Sequence, residues 1–371
     1  MPEIINGSEA IVRGAIHAKC DFFAGYPITP ATPILIHMLR ELPKIGGIGI
    51  QGEDEIASIG MCIGAAMTGA RVMTATSGPG VSLYSENIGL AIMGEVPIVI
   101  VNTQRMGPAT GGATTVAQGD IQFMQWGTSG GYPMIVLAPT KVAECYTLTM
   151  RAFDLAERFR SPVFLAVDKE MVSAYATVKE EDLKAVPVRE REHPDAGSKF
   201  IPYRFQSISE VPIIGKYGGP QILRFTTSSH DEQAYLSKKP EDLQKLNDHL
   251  VQKILNHQDE IDMVTSDIDP KADTLLISYG TTAQAMRSAV NTIRAQKGKV
   301  SALTIYSLWP IPEKEIIQAL NGVKRVVVIE LNHGQYLREI QRLAGDNHQV
   351  LNVQRVDGEL IDPQEILAVL Q

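Results

Sequence analysis

The apolar residues of the chain fall into short unbroken runs, separated by longer stretches in which they recur every three or four positions. Phe22–Tyr26, Gly47–Gln51, Val72–Ala75, Pro97–Asn102, Met134–Ala138 and Pro162–Val167 lack sustained polar alternation, as strands buried on both faces do. Between them Ser8–Lys19, Thr32–Leu42, Glu55–Gly69, Leu83–Met93 and Thr140–Phe159 have helical spacing, with Ser8 placed to cap the first helix. Thr-Ser-Gly-Pro-Gly at 76–80 reads as a turn. Alternating strands and helices predict a parallel sheet covered on both faces.

From Val188 to Ile268 the pattern weakens and Pro, Gly and charge become common. One helix interrupts this stretch: Leu243, Leu246, Leu250, Ile254 and Leu255 recur within Pro240–Asp259. The segment predicts an ordered connector. A second α/β unit begins near Lys271, with strands Thr274–Ser278, Val300–Ile305, Arg325–Glu330 and Val350–Val353. Its helices are expected at Ala283–Ala295, Tyr336–Ala344 and Pro363–Leu370. The expected division is residues 1–187, a connector over 188–268, and a second domain over 269–371.

Composition narrows the function classes. The 371 residues carry a formal charge of −8 with no Lys/Arg tract, which excludes a nucleic-acid partner. No apolar stretch reaches the roughly 18 residues of a membrane helix. The start, MPEIINGSEA, is not a secretory signal, so the cytoplasm is expected. The three cysteines, Cys20, Cys62 and Cys145, are far apart and cannot furnish the usual four ligands of a zinc or iron–sulfur site. No metal site is expected on this chain.

The densest chemical signal is QGEDEIASIGMCIGAAMTGARVMTATSGPG, residues 51–80. Glu53, Asp54 and Glu55 could simply favour a helix N-terminus through its dipole. Behind Glu55, however, come Ser58, Gly64-Ala65, Gly69-Ala70-Arg71 and the glycine-rich turn. This spacing resembles the pyrimidine-binding domain of thiamine-diphosphate enzymes. There a glutamate bonds N1′ of the aminopyrimidine, favouring the tautomer that removes the proton from thiazolium C2.

A second signal, GYPITP at 25–30, makes the resemblance more specific. With VNTQRMGPATGGATTVAQGD, VLAPTKVAECYTLTMRAFDLAERFRSPVFLAVD and, less sharply, FTTSSHDE and ELNHGQY, the chain resembles the α subunit of the 2-oxoacid:ferredoxin oxidoreductases. The resemblance is strong over about residues 5–170. It implies a pyrimidine-binding domain followed by a transketolase C-terminal-like α/β domain. Glu55 would be the catalytic activator, Arg105 and Thr29 substrate-binding, and Pro27, Ile28, Ser77 and Gly78 further cofactor contacts. A planar guanidinium suits bidentate carboxylate binding. His230-Asp231-Glu232 matches a family element for which a structural role is favoured; His333 is ambiguous.

The family implies oxidative decarboxylation of a 2-oxoacid with coenzyme A and ferredoxin, or the reverse, and the pattern is closest to the 2-oxoglutarate branch. No GDG diphosphate motif is present: GDI at Gly119 and GDN at Gly345 lack the second glycine. The diphosphate, Mg²⁺ and a [4Fe–4S] cluster are therefore expected on a β subunit, in an α2β2 assembly. The γ domain that some relatives carry ahead of YPITP would be a separate subunit or missing. Alternatives are an E1β-like subunit of a 2-oxoacid dehydrogenase complex, against which GYPITP argues, and a pyruvate or branched-chain enzyme of the same family. A silent assembly subunit is opposed by Glu55, and a nicotinamide-binding protein by the lack of GxGxxG after the first strand.

Overall fold

The computed structural model describes residues 2–370. In chain order the first half contains β1 (Glu3–Asn6), α1 (Gly7–His17), β2 (Phe22–Gly25), α2 (Thr32–Glu41), β3 (Ile48–Gln51), α3 (Glu55–Met67), β4 (Val72–Thr76), α4 (Gly78–Met93) and β5 (Ile98–Gln104). It continues with α5 (Ile121–Trp126), β6 (Ile135–Leu137), α6 (Val142–Phe159), β7 (Pro162–Asp168), α7 (Lys169–Ser173) and β8 (Tyr175–Val178). After a long irregular segment come α8 (Pro240–Leu255), β9 (Val264–Asp267), β10 (Thr274–Ser278), α9 (Thr282–Ala295), β11 (Ser301–Ile305) and β12 (Ser307–Trp309). The chain closes with α10 (Glu313–Leu320), β13 (Arg325–Glu330), α11 (Leu337–Ala344), β14 (Gln349–Gln354) and α12 (Pro363–Leu370).

The main sheet has the order β12-β6-β7-β5-β4-β2-β3. Strands β2 to β7 pair in parallel, as their continuous apolar runs predict. All seven residues of both β5 and β7 are buried. Helices α1 and α6 cover one face through Ile11, Ala15, Tyr146 and Phe153; α3 and α4 cover the other through Ile59, Ile63, Tyr84 and Ile88. The second sheet, β14-β13-β10-β11-β9, is parallel except for the edge strand β9.

Four expectations change. Asn6, not Ser8, caps α1: its side chain accepts from the Glu9 amide at 3.0 Å, and Glu9 reaches back to the Asn6 amide at 3.2 Å. The reciprocal pair satisfies two amides at once, which Ser8, already inside the helix, could not. The Gly-Pro-Gly of the expected turn is instead the first turn of α4, where the missing proline N–H costs nothing. Strand β9 lies within the expected connector yet pairs with β11 of the second sheet. Finally, β12 from the second unit extends the first sheet antiparallel to β6.

A buried charge cluster holds the connector. Glu95, in the turn between α4 and β5, accepts from Lys253 at 2.9 Å and shares a 3.1 Å contact with His249, both on α8. Burial alone would raise the Glu95 carboxyl, but Lys253, Arg160 and His249 hold it well below the usual range.

Candidate active site

The expected site residues follow the carboxyl ends of β2, β3, β4 and β5, where parallel sheets open their ligand crevices. Asp54 caps α3 by accepting from the Ala57 amide at 2.7 Å, which places Glu55 in the first helical position. Glu55 is 8% exposed, and among the described residues no side chain donates to its carboxyl. It lies against Gly80 in the first turn of α4. A Cβ on Gly80 would sit 2.9 Å from Glu55 Cγ and 2.0 Å from Thr76 Oγ1. The Thr76 hydroxyl is buried without a partner. Gly80 is thus packed directly against the Glu55 and Thr76 side chains, and the absence of a Cβ is what lets the carboxyl and the hydroxyl approach the start of α4 so closely.

Arg105 follows β5 and is 5% exposed. Its Nη1 donates to the Thr29 carbonyl and its Nη2 to the Thr110 carbonyl at 3.2 Å, while Nε is buried and unpartnered. The fork expected to be free is therefore partly engaged by the main chain, and three of the five N–H donors of a guanidinium remain. Thr29 and Pro27 are exposed and Ile28 half-buried on the loop after β2. Ser77 caps α4 by position; its hydroxyl donates to the Thr103 carbonyl at 2.8 Å. Gly78 lines a cleft of about 420 Å³ together with Arg105, Asp120 and His333. His230 does not join them. It is 2% exposed, 4.2 Å from Tyr203 ring to ring, beside Glu95 at the amino end of β5.

Four contributors were missed from the sequence: Asp120, Gln118, Asn332 and Gln335. Asp120 stands over α4, its Oδ1 3.2 Å from where a Gly78 Cβ would be, and accepts from Asn102 at 3.0 Å. Burial pushes its carboxyl up, opposed by Asn102 and Arg105. Burial likewise lowers the hold of Arg105 on its proton, opposed by Asp120. Gln118 and Asn332 join the cleft to the second unit: Asn332 donates to the Gln118 carbonyl at 2.9 Å, and Gln335 donates to the Gly119 carbonyl at 2.6 Å. The only signal for Asp120 was the GDI triplet, set aside because it fails as a diphosphate motif.

Three comparisons bear on this arrangement. The chain is 40% identical to the 2-oxoglutarate synthase subunit KorA of Methanothermobacter marburgensis, over 98% of this chain and 96% of the relative. It is 33% identical to the ketoisovalerate oxidoreductase subunit VorB of Methanothermobacter thermautotrophicus, over 98% and 96%. The solved 2-oxoglutarate:ferredoxin oxidoreductase of Magnetococcus marinus, with 2-oxoglutarate, coenzyme A and succinyl-CoA bound, superposes with a TM-score of 0.93 at 29% identity. That match covers 100% of this chain and 64% of the other, so this chain spans less than two thirds of it. Residues 13–242 match the thiamine diphosphate-binding region of pyruvate flavodoxin/ferredoxin oxidoreductases and residues 272–366 match core domain II of pyruvate:ferredoxin oxidoreductase, and the chain belongs to this oxidoreductase family.

Proposed function

We propose that the chain is the α-type subunit of a thiamine-diphosphate-dependent 2-oxoglutarate:ferredoxin oxidoreductase. In this reaction 2-oxoglutarate and coenzyme A give succinyl-CoA and carbon dioxide, and two electrons pass to ferredoxin, or the sequence runs in reverse. The observation that carries the reading is the buried Glu55 carboxyl close to the unpartnered Thr76 hydroxyl, both packed on Gly80 at the start of α4. These residues fit an aminopyrimidine: the buried Glu55 carboxyl, to which no side chain donates among the described residues, can hold a proton toward its N1′. When bound, thiamine diphosphate supplies the nucleophilic carbon that attacks the 2-oxo group. The part of this chain is then to hold that proton at Glu55 and to fix the substrate carboxylate with Arg105. Thr29 contributes its carbonyl to the position of Arg105 and its exposed side chain to the reacting end. Pro27, Ile28, Ser77 and Gly78 complete the wall around the cofactor.

The second chain enters because the diphosphate lacks a site here. The reading assigns the diphosphate, Mg²⁺ and the [4Fe–4S] cluster to a β subunit in an α2β2 assembly, with any γ portion on a separate chain. An open face beside the site supports this. Gly60 and Gly64 of α3 have space where a side chain would stand, and Ile56 on the same helix is 50% exposed. Among the described residues no helix is long and apolar enough to cross a membrane. The reading places the enzyme in the cytoplasm, where the buried Cys20, Cys62 and Cys145 stay reduced. The 2-oxoglutarate relative at 40% identity, against 33% for the ketoisovalerate relative, favours the dicarboxylic substrate. The test is to copurify this chain with its β subunit and assay viologen reduction with a panel of 2-oxoacids and coenzyme A. A 2-oxoglutarate preference is expected; inactivity with every 2-oxoacid in a fully loaded complex overturns the reading.

A further inference from the structure

Among the residues lining the cleft, Asp120 is the one carboxyl, and it faces the arginine assigned to a substrate carboxylate. Two carboxylates and a single guanidinium do not balance in a buried place. Asp120 and Arg105 bias each other's protonation across the cleft, yet among the described residues no hydrogen bond joins them. Asp120 Oδ2 takes the Asn102 amide, leaving Oδ1 directed past Gly78 as the oxygen able to carry a proton. Arg105 keeps an unpartnered buried Nε, so it retains donors for an incoming anion.

We infer that Asp120 is a binding residue for the 2-oxoacid, taking up a proton as the substrate carboxylate arrives and donating it to that carboxylate opposite Arg105. The inference rests on the proposed function and deepens it, since it names the carboxylate subsite and its second partner. No bond of the substrate breaks in this step: a proton moves from solvent to Oδ1, and the site keeps one net negative charge against one positive. The titratable groups facing Asp120 are few. Arg105 comes from the end of β5 and His333 from the second unit; Gly78, Pro79 and Ser82 of α4 and Ile121 and Phe123 of α5 carry no charge. Burial already tilts Asp120 toward the neutral form before substrate enters.

The experiment uses the copurified complex loaded with thiamine diphosphate and Mg²⁺, with 2-hydroxyglutarate as a probe that cannot be attacked at C2. Calorimetry in buffers of differing ionisation enthalpy between pH 6 and 8 reads the protons taken up on binding. Wild type is expected to gain about one proton, and its affinity to fall by up to about tenfold per pH unit as pH rises. Asp120→Asn keeps the shape and offers a permanent N–H donor, so its binding should persist with the proton uptake and pH slope abolished. His333→Gln should retain both. No proton uptake in the wild-type complex overturns the inference without recourse to any variant. Uptake that survives in Asp120→Asn, or vanishes in His333→Gln, overturns it as well. Because the probe is bound and not turned over, a negative result here is separate from the viologen assay, which decides the function itself.

Discussion

Gln118 and Leu331 hold each other by both ends of the peptide: the Gln118 amide donates to the Leu331 carbonyl at 2.8 Å, and the Leu331 amide donates to Gln118 Oε1 at 2.9 Å. The Gln118 side-chain nitrogen turns the other way and donates to Asp168 at 3.0 Å. The loop between β5 and α5 is thereby fastened to both units. Thr115, on the same loop, packs so tightly against Gly358 that a Cβ there would stand 1.9 Å from its methyl. Asp120 and Arg105 flank a loop that cannot drift without breaking these bonds.

Glu55→Gln should nearly abolish turnover while leaving the complex folded. Glutamine keeps the size and a hydrogen bond to N1′ but cannot exchange a proton. The loss should fall on removal of the thiazolium C2 proton and reach about 10²–10⁴-fold. NMR of C2 exchange after acid quench isolates that step. Glu53→Gln, with the same charge change just ahead of α3, is the control; exchange near wild type in the Glu55 variant removes the assignment.

Arg105→Lys keeps the charge and loses the planar fork. It should raise the barrier measured by kcat/KM by about 1–3 kcal/mol. Part of that loss is indirect, since a lysine cannot serve the Thr29 and Thr110 carbonyls together. Steady-state kinetics with each active 2-oxoacid is the check, and an unchanged kcat/KM throughout takes Arg105 out of the site.

The chain on its own should bind thiamine diphosphate poorly and retain no iron. On the proposed function Glu55 receives the pyrimidine end, while the phosphates lack a GDG site. The three cysteines are buried and dispersed. Calorimetry with Mg²⁺ and iron analysis of the separated subunit are decisive. Micromolar affinity or stoichiometric iron would contradict the division of labour between subunits.

The contribution of Asp168 to stability should fall as pH rises through the acidic range, opposite in sign to that of Glu95. Burial pushes Asp168 up to about 6, in spite of donors from Gln104, Gln118 and Thr281. The folded state therefore binds its proton more tightly than the unfolded chain does. That contribution is complete below about pH 4 and is lost as pH rises through about 6, an amount on the order of 3 kcal/mol. Urea unfolding between pH 4 and 7 should show the slope, superimposed on the other carboxyls, and Asp168→Asn should flatten it.

The first sheet was readable because its inner parallel strands are buried on both sides and spell apolar runs, with the parallel edge strand β3 partly exposed. Strands β1, β8, β9 and β12 were not, being three or four residues long, and β1, β8 and β9 are half exposed. Gly78-Pro79-Gly80 misled because glycine and proline mark turns and helix starts alike; only the backbone following Ser77 separates the two. In the site, Glu55, Arg105 and Thr29 stood within recognisable strings. Asp120 and Gln118 did not, because their meaning comes from Asn102, Arg105 and Leu331, which fold them into place from elsewhere along the chain. The partly engaged Arg105 fork was equally hidden, since its partners are main-chain carbonyls that any residue could supply.

Strand β12 carries a consequence for how the protein is made. Leu137 emerges from the ribosome long before Ser307, the residue it finally pairs with. Until then β6 is a sheet margin with free N–H and C=O groups, able to recruit a strand from another nascent chain. A gene split between the two units would make that interval permanent. The N-terminal fragment should be recovered as aggregate unless the C-terminal fragment is synthesised beside it and supplies Ser307–Trp309 in trans.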